Sequence, residues 1–519
     1  MRFILGLLAM VVGMVAASAR ASDDPWLEVR TDHFIIYIQD DQAAAWAFAT
    51  KLERFDAALR RLYGVEDDPA RRSNPLQIFA FSEDMYNATC NCSGYAVGYY
   101  SPRAGGSAIF SLYAPKVDAK TKPGDMNSQS VLLHEYSHHF MFSTYPIAYP
   151  LWYSEGFAEF NANVLFNENG STTIGLPANY RAGAIGSEAD YFSMTEMLDP
   201  PLSTRQSWQL SMIYARGWLL THYLTLDGER KGQLAKYLEE MNRGKTSTEA
   251  ARIAFGDLKK LYRDMFAYRH RNKLAAPFLV PPPKRPIAVA IRPLSQGEVA
   301  ILLPRARVTS GWRAQNMGTV ARAAEHAAER FPDDARVQAQ LAHIEYLARR
   351  TDSAEKAADR ALALDPDNML ALLYKGRAAV RRAAEAKATD PAIWSAARAP
   401  LIKANRADPN AALPLLYYYQ SFLAAKQQPS ANAVKGLSRA AVLAPEDSTV
   451  RVLLAERLLD QGDGLSARAL LQPIAFAPHD DPKDNHMRAA IDLIDASKLK
   501  EARALLTKKD EDKDEGQGE

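Results

Sequence analysis

The segment Leu132–Phe160 constrains the fold and chemistry of this chain more than any other stretch. It opens with His134, Glu135 and His138 in the order H-E-x-x-H. Residues four apart lie on the same face of a helix, so the two imidazoles can bind one metal ion. This spacing is typical of Zn²⁺ sites, in which the intervening glutamate can reach a water molecule at the metal.

A second helix follows at close range and offers a third ligand. It is predicted to begin at Trp152, after Pro146 and Pro150, and it carries Glu155 and Glu159 four residues apart. Two imidazoles and one carboxylate leave the fourth position of a tetrahedral zinc site open, as in catalytic centres. The alternative is an amphipathic helix with one packed histidine and surface charges. We favour the metal, because the first helix is apolar and unpaired polar groups would be costly to bury there.

At these residues the chain resembles the gluzincins, the zinc peptidases that include thermolysin and the aminopeptidase N group, and most closely their peptidase MA-like members. The likeness covers about Trp26–Phe278, and its sharp features are H-E-x-x-H and W-x-x-E-G-x-A. The resemblance implies that His134, His138 and Glu155 bind one zinc ion per chain. It also implies that Glu135 is the general base in hydrolysis of a peptide bond by a zinc-activated water.

The resemblance also suggests roles for residues around the metal. Glu159 stands where related enzymes have a carboxylate that accepts the far N–H of a ligand histidine, although a surface glutamate is the alternative. Tyr214 stands where the aminopeptidase group has a tyrosine that hydrogen-bonds the oxyanion, although an aromatic packing residue is the alternative. His139 is expected to point away from the ligand face, and Arg216 and His222 are expected to be structural.

One motif of the related aminopeptidases is missing from this chain. Those enzymes carry Gly-x-Met-Glu-Asn on the strand nearest the zinc helix, and its glutamate binds the free amino terminus of the substrate. Here the predicted strand Ser107–Tyr113 and the two glycines before it contain no carboxylate. This favours an endopeptidase acting on peptides or proteins over an enzyme that trims N-termini.

The residues before the H-E-x-x-H helix predict a β-α-β-loop-β order, which the resemblance associates with the N-terminal lobe of a zincin. Runs of Ile and aromatic residues predict the strands, and apolar residues on one face predict the helix. The predicted elements are strands at Leu27–Arg30, Phe34–Ile38, Leu76–Phe81 and Ser107–Tyr113, a helix at Gln42–Tyr63 and a loop at Cys90–Arg103. The expected fold class is an α+β zincin domain, with a mixed-sheet lobe and a helical lobe, followed by an all-α solenoid.

The C-terminal part has a different composition, rich in Ala, Leu and Arg. Prolines recur there at intervals of 34, 43, 36 and 33 residues, each after an Ala-rich helical segment; they are Pro332, Pro366, Pro409, Pro445 and Pro478. A period near 34 resembles tetratricopeptide repeats and predicts four to five stacked helix pairs. Such an array has a concave face suited to peptides or protein partners. A non-repeating helical bundle is the alternative.

Segment boundaries follow from these patterns. Three consecutive prolines at 281–283 mark a stiff boundary, and two apolar runs within Ile287–Leu303 predict a small hairpin. The predicted segments are a signal peptide at 1–21, a gluzincin-like domain at 22–278, a Pro-rich linker with the hairpin at 279–308, tetratricopeptide-like repeats at 309–506 and a charged, disordered tail at 507–519.

The N-terminus predicts export. Arg2 precedes an uncharged apolar run, Phe3–Ala17, and two A-x-A cleavage sites follow it. An uncleaved N-terminal anchor is the alternative, and no other stretch reaches transmembrane length. We therefore expect a periplasmic or secreted protein. Its two cysteines, Cys90 and Cys92, cannot complete a metal site alone, and they form either a small disulfide or two free thiols.

Charge excludes one class of partner and leaves two competing functions. The chain has 63 basic and 61 acidic residues, so nothing indicates binding to nucleic acid. One alternative to a peptidase is a non-catalytic scaffold whose repeats do the work beside a structural or residual zinc lobe. Another is a zincin of the membrane-quality-control type, which takes its third ligand from a different motif and is disfavoured for that reason.

Overall fold

A mixed six-stranded sheet forms the centre of the N-terminal region. Its order is β4-β5-β3-β2-β1-β9; β2, β3 and β5 run parallel, while β1, β4 and β9 each run antiparallel to their neighbours. The strands are β1 (Trp26–Arg30), β2 (Phe34–Gln39), β3 (Leu76–Phe81), β4 (Gly98–Ser101), β5 (Ala108–Leu112) and β9 (Ala290–Pro293). The predicted strands before the H-E-x-x-H helix are therefore confirmed.

Side chains that alternate along the strands give this sheet two buried faces. Ile36 and Ile78 belong to the large core of the N-terminal region. Tyr37, Phe79 and Phe110 point to the other face, where they form a separate aromatic cluster. The sheet is consequently covered on both sides, and its second face is available to pack against later parts of the chain.

Two elements differ from the prediction. The region Cys90–Arg103, predicted as a loop, contains edge strand β4, whose small and aromatic residues lack the alternating pattern used to recognise strands. The predicted hairpin within Ile287–Leu303 is wrong. Its first half is β9, which pairs with β1, and its second half is helical because Ser295 caps a new helix through a capping box with Glu298. The segment 279–308 thus contains a strand of the six-stranded sheet and most of a helix.

Helices and a small second sheet complete the described part of the N-terminal region. The helices are α1 (Gln42–Tyr63), α2 (Glu83–Cys90), α3 (Pro115–Asp118), α4 (Ser128–Thr144), α5 (Leu151–Ala162), α6 (Ala182–Gly186), α7 (Met194–Leu198), α8 (Ser207–Leu226), α9 (Gln233–Asn242), α10 (Ser247–Phe255) and α11 (Leu258–Arg269). The small sheet is antiparallel and contains β6 (Val164–Phe166), β7 (Thr172–Ile174) and β8 (Phe278–Val280).

The C-terminal region is helical throughout its described length. Its helices are α12 (Gln296–Thr309), α13 (Ala314–Arg330), α14 (Ala335–Leu347), α15 (Thr351–Leu364), α16 (Met369–Glu385), α17 (Pro391–Ala407), α18 (Ala412–Ala424), α19 (Ala431–Leu443), α20 (Ser448–Asp460), α21 (Gly464–Ala475), α22 (His486–Asp495) and α23 (Leu499–Asp514). Successive helices pack together, and α12, α14, α16 and α18 also contact one another in turn. Four of the recurring prolines, from Pro332 to Pro445, lie in the turns after α13, α15, α17 and α19.

The inner helices of this array face the six-stranded sheet of the same chain. Asn74, before β3, accepts a hydrogen bond from the backbone N–H of Ala412 at 2.9 Å and donates to the carbonyl of Asn410 at 2.8 Å. The backbone N–H of Ala104 donates to Asp447 at 2.8 Å. The concave face that the repeat pattern predicts for partners is thus partly covered by the N-terminal region.

The structure is a computed structural model. It describes residues 24–90, 98–118, 120–122, 124–186, 192–200, 207–270, 277–312, 314–477 and 486–514; the predicted signal peptide, Cys92 and Pro478 lie outside them. No helix within these ranges has the length and apolarity needed to span a bilayer. Cys90 is disulfide-bonded, one of the two states expected. The last helix extends to Asp514, into the tail predicted to be disordered.

Candidate metal centre

Helix α4 carries three of the predicted site residues and is fixed at its start and on its back. Asn127 caps it through a capping box with Ser130, whose backbone N–H donates to the Asn127 side chain at 2.7 Å. Tyr136 lies on the face away from His134 and His138, and its hydroxyl donates to Asp56 of α1. The two imidazoles are thereby held on a helix whose start is capped and whose opposite face is bonded to α1.

Helices α5 and α8 cross in backbone contact at two glycines. A Cβ atom on Gly156 would lie 2.4 Å from the carbonyl oxygen of Gly217, and one on Gly217 would lie 2.5 Å from that of Trp152. No side chain larger than hydrogen fits at either position. Since Glu155 precedes Gly156 and Tyr214 lies about one turn before Gly217, this crossing brings both side chains towards α4.

The three predicted ligands converge. The Nε2 atoms of His134 and His138 are 3.2 Å apart. A carboxylate oxygen of Glu155 lies 3.3 Å from the first of these nitrogens and 3.6 Å from the second. Three ligands bound tetrahedrally at about 2.0–2.1 Å from zinc would be separated by about 3.3–3.4 Å. The donor set and its spacing therefore fit a single zinc ion, although its identity as a zinc site stays a prediction.

The charges around His134 favour a cation bound between His134, His138 and Glu155. Burial lowers the pKa of His134, but its hydrogen bond to Glu155 and the charges of Glu159 and Glu135 outweigh burial and raise it to about 9. Glu155 itself is fully buried. A buried carboxylate among imidazoles is stabilised by a positive charge, and a divalent metal ion supplies one.

Glu135 lies beside the three ligands but outside their group. Its carboxylate is half-buried, and it has no hydrogen-bond or ion-pair partner within 4.0 Å in the part of the chain that the structure describes. Edge strand β4 passes close to it, because a Cβ atom on Gly98 would lie 3.4 Å from Cγ of Glu135. A carboxylate open to solvent between the metal group and a strand edge is placed to accept a proton from water.

Edge strand β4, not β5, is therefore the strand that borders the site. The absence of a carboxylate was argued from Ser107–Tyr113, which contains β5 and lies one strand further in. Residues 94–103, which include β4, likewise contain no Asp or Glu.

Glu159 is found beside the far nitrogen of His134. Its carboxylate oxygen lies 3.7 Å from Nδ1, which is longer than a direct hydrogen bond. The same carboxylate accepts hydrogen bonds from Arg181, at 2.5 and 3.2 Å, and from the hydroxyl of Tyr180. Glu159 is buried and fully engaged, so the alternative of a surface glutamate is wrong, while its role toward the metal stays a prediction.

Tyr214 lies beside His134, one of the three predicted ligands. Its ring is nearly parallel to that of His134, with centroids 5.8 Å apart, and the guanidinium carbon of Arg181 lies 5.0 Å from the centroid of the Tyr214 ring. Burial, followed by the charges of Glu155 and Glu135, raises the pKa of Tyr214 well above its ordinary value. The phenol is consequently protonated and able to donate a hydrogen bond, which an oxyanion would require.

Three residues that were not expected to bind metal, His139, Arg216 and His222, lie outside the group formed by the predicted ligands. His139 contacts the hydroxyl of Tyr100 at 3.2 Å on the sheet side of α4. Arg216 is fully buried and donates to the carbonyl of Phe192, and His222 contacts the hydroxyl of Tyr268 at 2.8 Å. Burial lowers the pKa of His222 to about 4, consistent with a neutral packing residue.

Sequence reasoning missed the residues that support the ligands. Arg181 and Tyr180 sit in a short 3₁₀ turn that no local motif singles out. Gly98 lies in a strand that was predicted as loop. Gly156 and Gly217 did carry a signal, because a glycine inside an apolar helix usually marks close packing.

A second group of one histidine and several carboxylates joins His33 to α1. His33 contacts Glu53 at 2.8 Å and Asp56 at 3.6 Å through Nδ1, and Asp67 at 3.1 Å through Nε2. Two of these carboxylates also bind arginines, since Asp56 pairs with Arg60 and Asp67 with Arg72. The group is an ion-pair network that neutralises itself, and it gives no reason to infer a second metal.

This network predicts a specific dependence of stability on pH. Burial lowers the pKa of His33, but Glu53, Asp56 and Asp67 raise it to about 9 in the folded chain, against 6.5 ordinarily. A raised pKa stabilises the fold fully below about pH 6.5, and the contribution is lost as the pH rises through about 9. We expect His33→Gln to lower the free energy of unfolding by up to about 3 kcal/mol at about pH 6 and by little at about pH 10.

Urea unfolding at both pH values measures this difference. His326→Gln, which changes an exposed histidine on α13, is the matched control and should show no such dependence. A loss of stability in His33→Gln that is the same at both pH values would contradict the linkage.

The comparisons with known proteins do not identify this chain. No protein-family model matches it, and neither does any curated protein. The geometry of the His134, His138 and Glu155 group is therefore the principal guide to function.

Proposed function

We propose that this chain is an exported zinc-dependent peptidase of the gluzincin type, with a zincin-like N-terminal region and a tetratricopeptide-like C-terminal array. The observation that carries the proposal is the convergence of His134, His138 and Glu155 at separations of 3.2, 3.3 and 3.6 Å. These residues would hold the zinc ion. The ion, when bound, would lower the pKa of a water molecule and polarise the carbonyl of a peptide bond.

The other residues of the site would handle protons and charge. Glu135 would accept the proton of the attacking water and pass it to the leaving amine, since it is partly exposed and has no hydrogen-bond or ion-pair partner among the described residues. Tyr214 would donate a hydrogen bond to the oxyanion of the substrate, because its phenol stays protonated. Glu159, held by Arg181 and Tyr180, would orient the ring of His134 from behind.

An extended substrate would bind along edge strand β4, whose outer edge has no strand partner among the described residues. The lack of Asp or Glu in residues 94–103 supports cleavage within chains over recognition of a free amino terminus. Peptides or unstructured proteins are the substrate class that this arrangement suits.

Zinc content and proteolysis, measured together, test the proposal. We expect about one zinc per purified wild-type chain and cleavage of casein, with both lost in His134→Ala and Glu155→Ala. His326→Ala, an exposed histidine far from the group in sequence, should retain both.

The outcomes separate the two competing functions. Zinc without cleavage of any unstructured substrate would support a scaffold with a structural zinc lobe. Absence of zinc from the metal-supplemented wild type would overturn the peptidase proposal.

A further inference from the structure

A cavity of about 770 Å³ lies between the six-stranded sheet and the helical array. One wall comes from β1 to β4 and the turn after β4, and the other from α12, α14, α16 and α18. Its volume is within the range of about 300–1,000 Å³ typical of pockets for small molecules. The lining includes none of the residues of the candidate metal centre.

The charges around this cavity are unbalanced. Of the six arginines in its lining, four have carboxylate partners: Arg30, Arg72, Arg292 and Arg336. The four lining carboxylates are already engaged, either with these arginines or with backbone and hydroxyl donors: Glu28, Glu298, Asp408 and Asp447. The two remaining arginines form no ion pair with a carboxylate within 4.0 Å among the described residues.

These two are Arg103 and Arg305, and their hydrogen-bond partners within the described chain are neutral, while the charge of Asp447 also acts on Arg103. Arg305 donates to the side-chain oxygen of Gln77 at 3.0 Å, and its guanidinium lies 4.4 Å from the ring centroid of Tyr37. Arg103 donates weakly to the hydroxyl of Ser101, at 3.3 Å, and to a backbone carbonyl of α12, at 3.4 Å. A guanidinium enclosed in protein without an anion is unfavourable, so each favours an anionic ligand.

Polar and aromatic groups complete the wall near the two arginines. His343 stacks on Tyr374 with centroids 4.4 Å apart. Burial lowers the pKa of His343 to about 3, and the charges of Arg103 and Arg305, with that of the nearby Arg377, act in the same direction. His343 is therefore neutral and adds a hydrogen-bonding group without cancelling the positive charge. Arg103 contacts α12 at the carbonyl of Val308, about one turn after Arg305, so both arginines line the part of the cavity beside α12.

We propose that this cavity binds a small organic anion whose carboxylate or phosphate group is held between Arg103 and Arg305. The planar guanidinium pairs with two oxygens of either group, so the shared chemistry is that of an oxyanion. Because the cavity walls belong to both regions of the chain, the bound anion would join the array to the sheet. The proposal does not depend on the peptidase proposal, since the two sites share no residue.

Calorimetric titration of the full chain with inorganic phosphate and, separately, with citrate tests this site. Both titrations use chloride buffer of matched ionic strength. We expect saturable binding of at least one probe, and a rise in melting temperature with its concentration. Arg305→Gln and Arg103→Gln should each weaken binding roughly tenfold or more, because each removes a charge-assisted pair. Arg322→Gln, an exposed arginine of α13, removes the same charge elsewhere and should bind within about twofold of wild type.

Each outcome decides the question. Binding of phosphate alone, of citrate alone or of both supports the site and identifies which oxyanion it takes. No saturable binding of either probe, or equal weakening by Arg322→Gln, overturns it. Should Arg103→Gln fail to fold, Arg305→Gln and Arg305→Lys remain decisive, because Lys keeps the charge and loses the paired geometry. Unchanged anion binding in His134→Ala separates this result from the metal centre.

Discussion

Replacing Glu135 with Gln is expected to abolish peptide cleavage while leaving the zinc content at about one per chain. Gln has nearly the same shape, and Glu135 lies outside the ligand group, so the metal should stay bound. The amide cannot accept a proton, and losing a general base typically costs about 10²–10⁴-fold in rate. We expect a loss near the upper end, because no other carboxylate beside the metal group is both open and without a partner among the described residues.

Casein cleavage and metal analysis on the same preparations measure this effect. Glu168→Gln, in an exposed turn, is the matched control and should cleave at the wild-type rate. A Glu135→Gln variant that cleaves as fast as wild type would remove Glu135 from the mechanism. Loss of zinc in the variant would instead make Glu135 a ligand.

Gly217→Ala is expected to destabilise the chain strongly, because it adds a methyl group where two helices are in backbone contact. The new Cβ would lie 2.5 Å from the carbonyl oxygen of Trp152, and backbone atoms cannot move aside as a flexible side chain would. Helices α5 and α8 must separate, at a cost of about 1–3 kcal/mol or more. Because Glu155 and Tyr214 are positioned by this crossing, zinc affinity should fall as well.

Thermal unfolding with and without added zinc measures both consequences. Gly318→Ala is the matched control, since its Cβ would meet only the flexible end of Arg322 at 3.9 Å within α13. That change should be neutral or stabilise by up to about 1 kcal/mol through helix propensity. Wild-type stability and zinc binding in Gly217→Ala would show that the crossing tolerates separation.

Local patterns in the sequence were sufficient to select the candidate ligands and to predict most elements. The i, i+4 spacing of His134 and His138 places both on one helix face whatever surrounds that helix. Prolines from Pro332 to Pro445 follow the ends of helices, where the missing N–H is tolerated, although Pro304, Pro400 and Pro473 lie inside helices. Strands β1, β2, β3 and β5 were likewise predicted from their own residues.

Packing between distant parts of the chain determined the elements and contacts that local patterns did not predict. Strand β9 forms because β1 accepts it as a neighbour, and Arg292 of β9 pairs with Glu28 across 264 positions of sequence. Arg181 hydrogen-bonds Glu159 only because the short 3₁₀ turn that carries Arg181 packs against α5. The inner helices of the array face the sheet, which leaves Arg103 and Arg305 together in one cavity. The sequence alone determined which residues can bind metal and where helices end, since both depend on neighbours within a few positions. Only the tertiary structure decided which charged side chains and backbone segments distant in sequence come into contact, because those contacts depend on the packing of the whole chain.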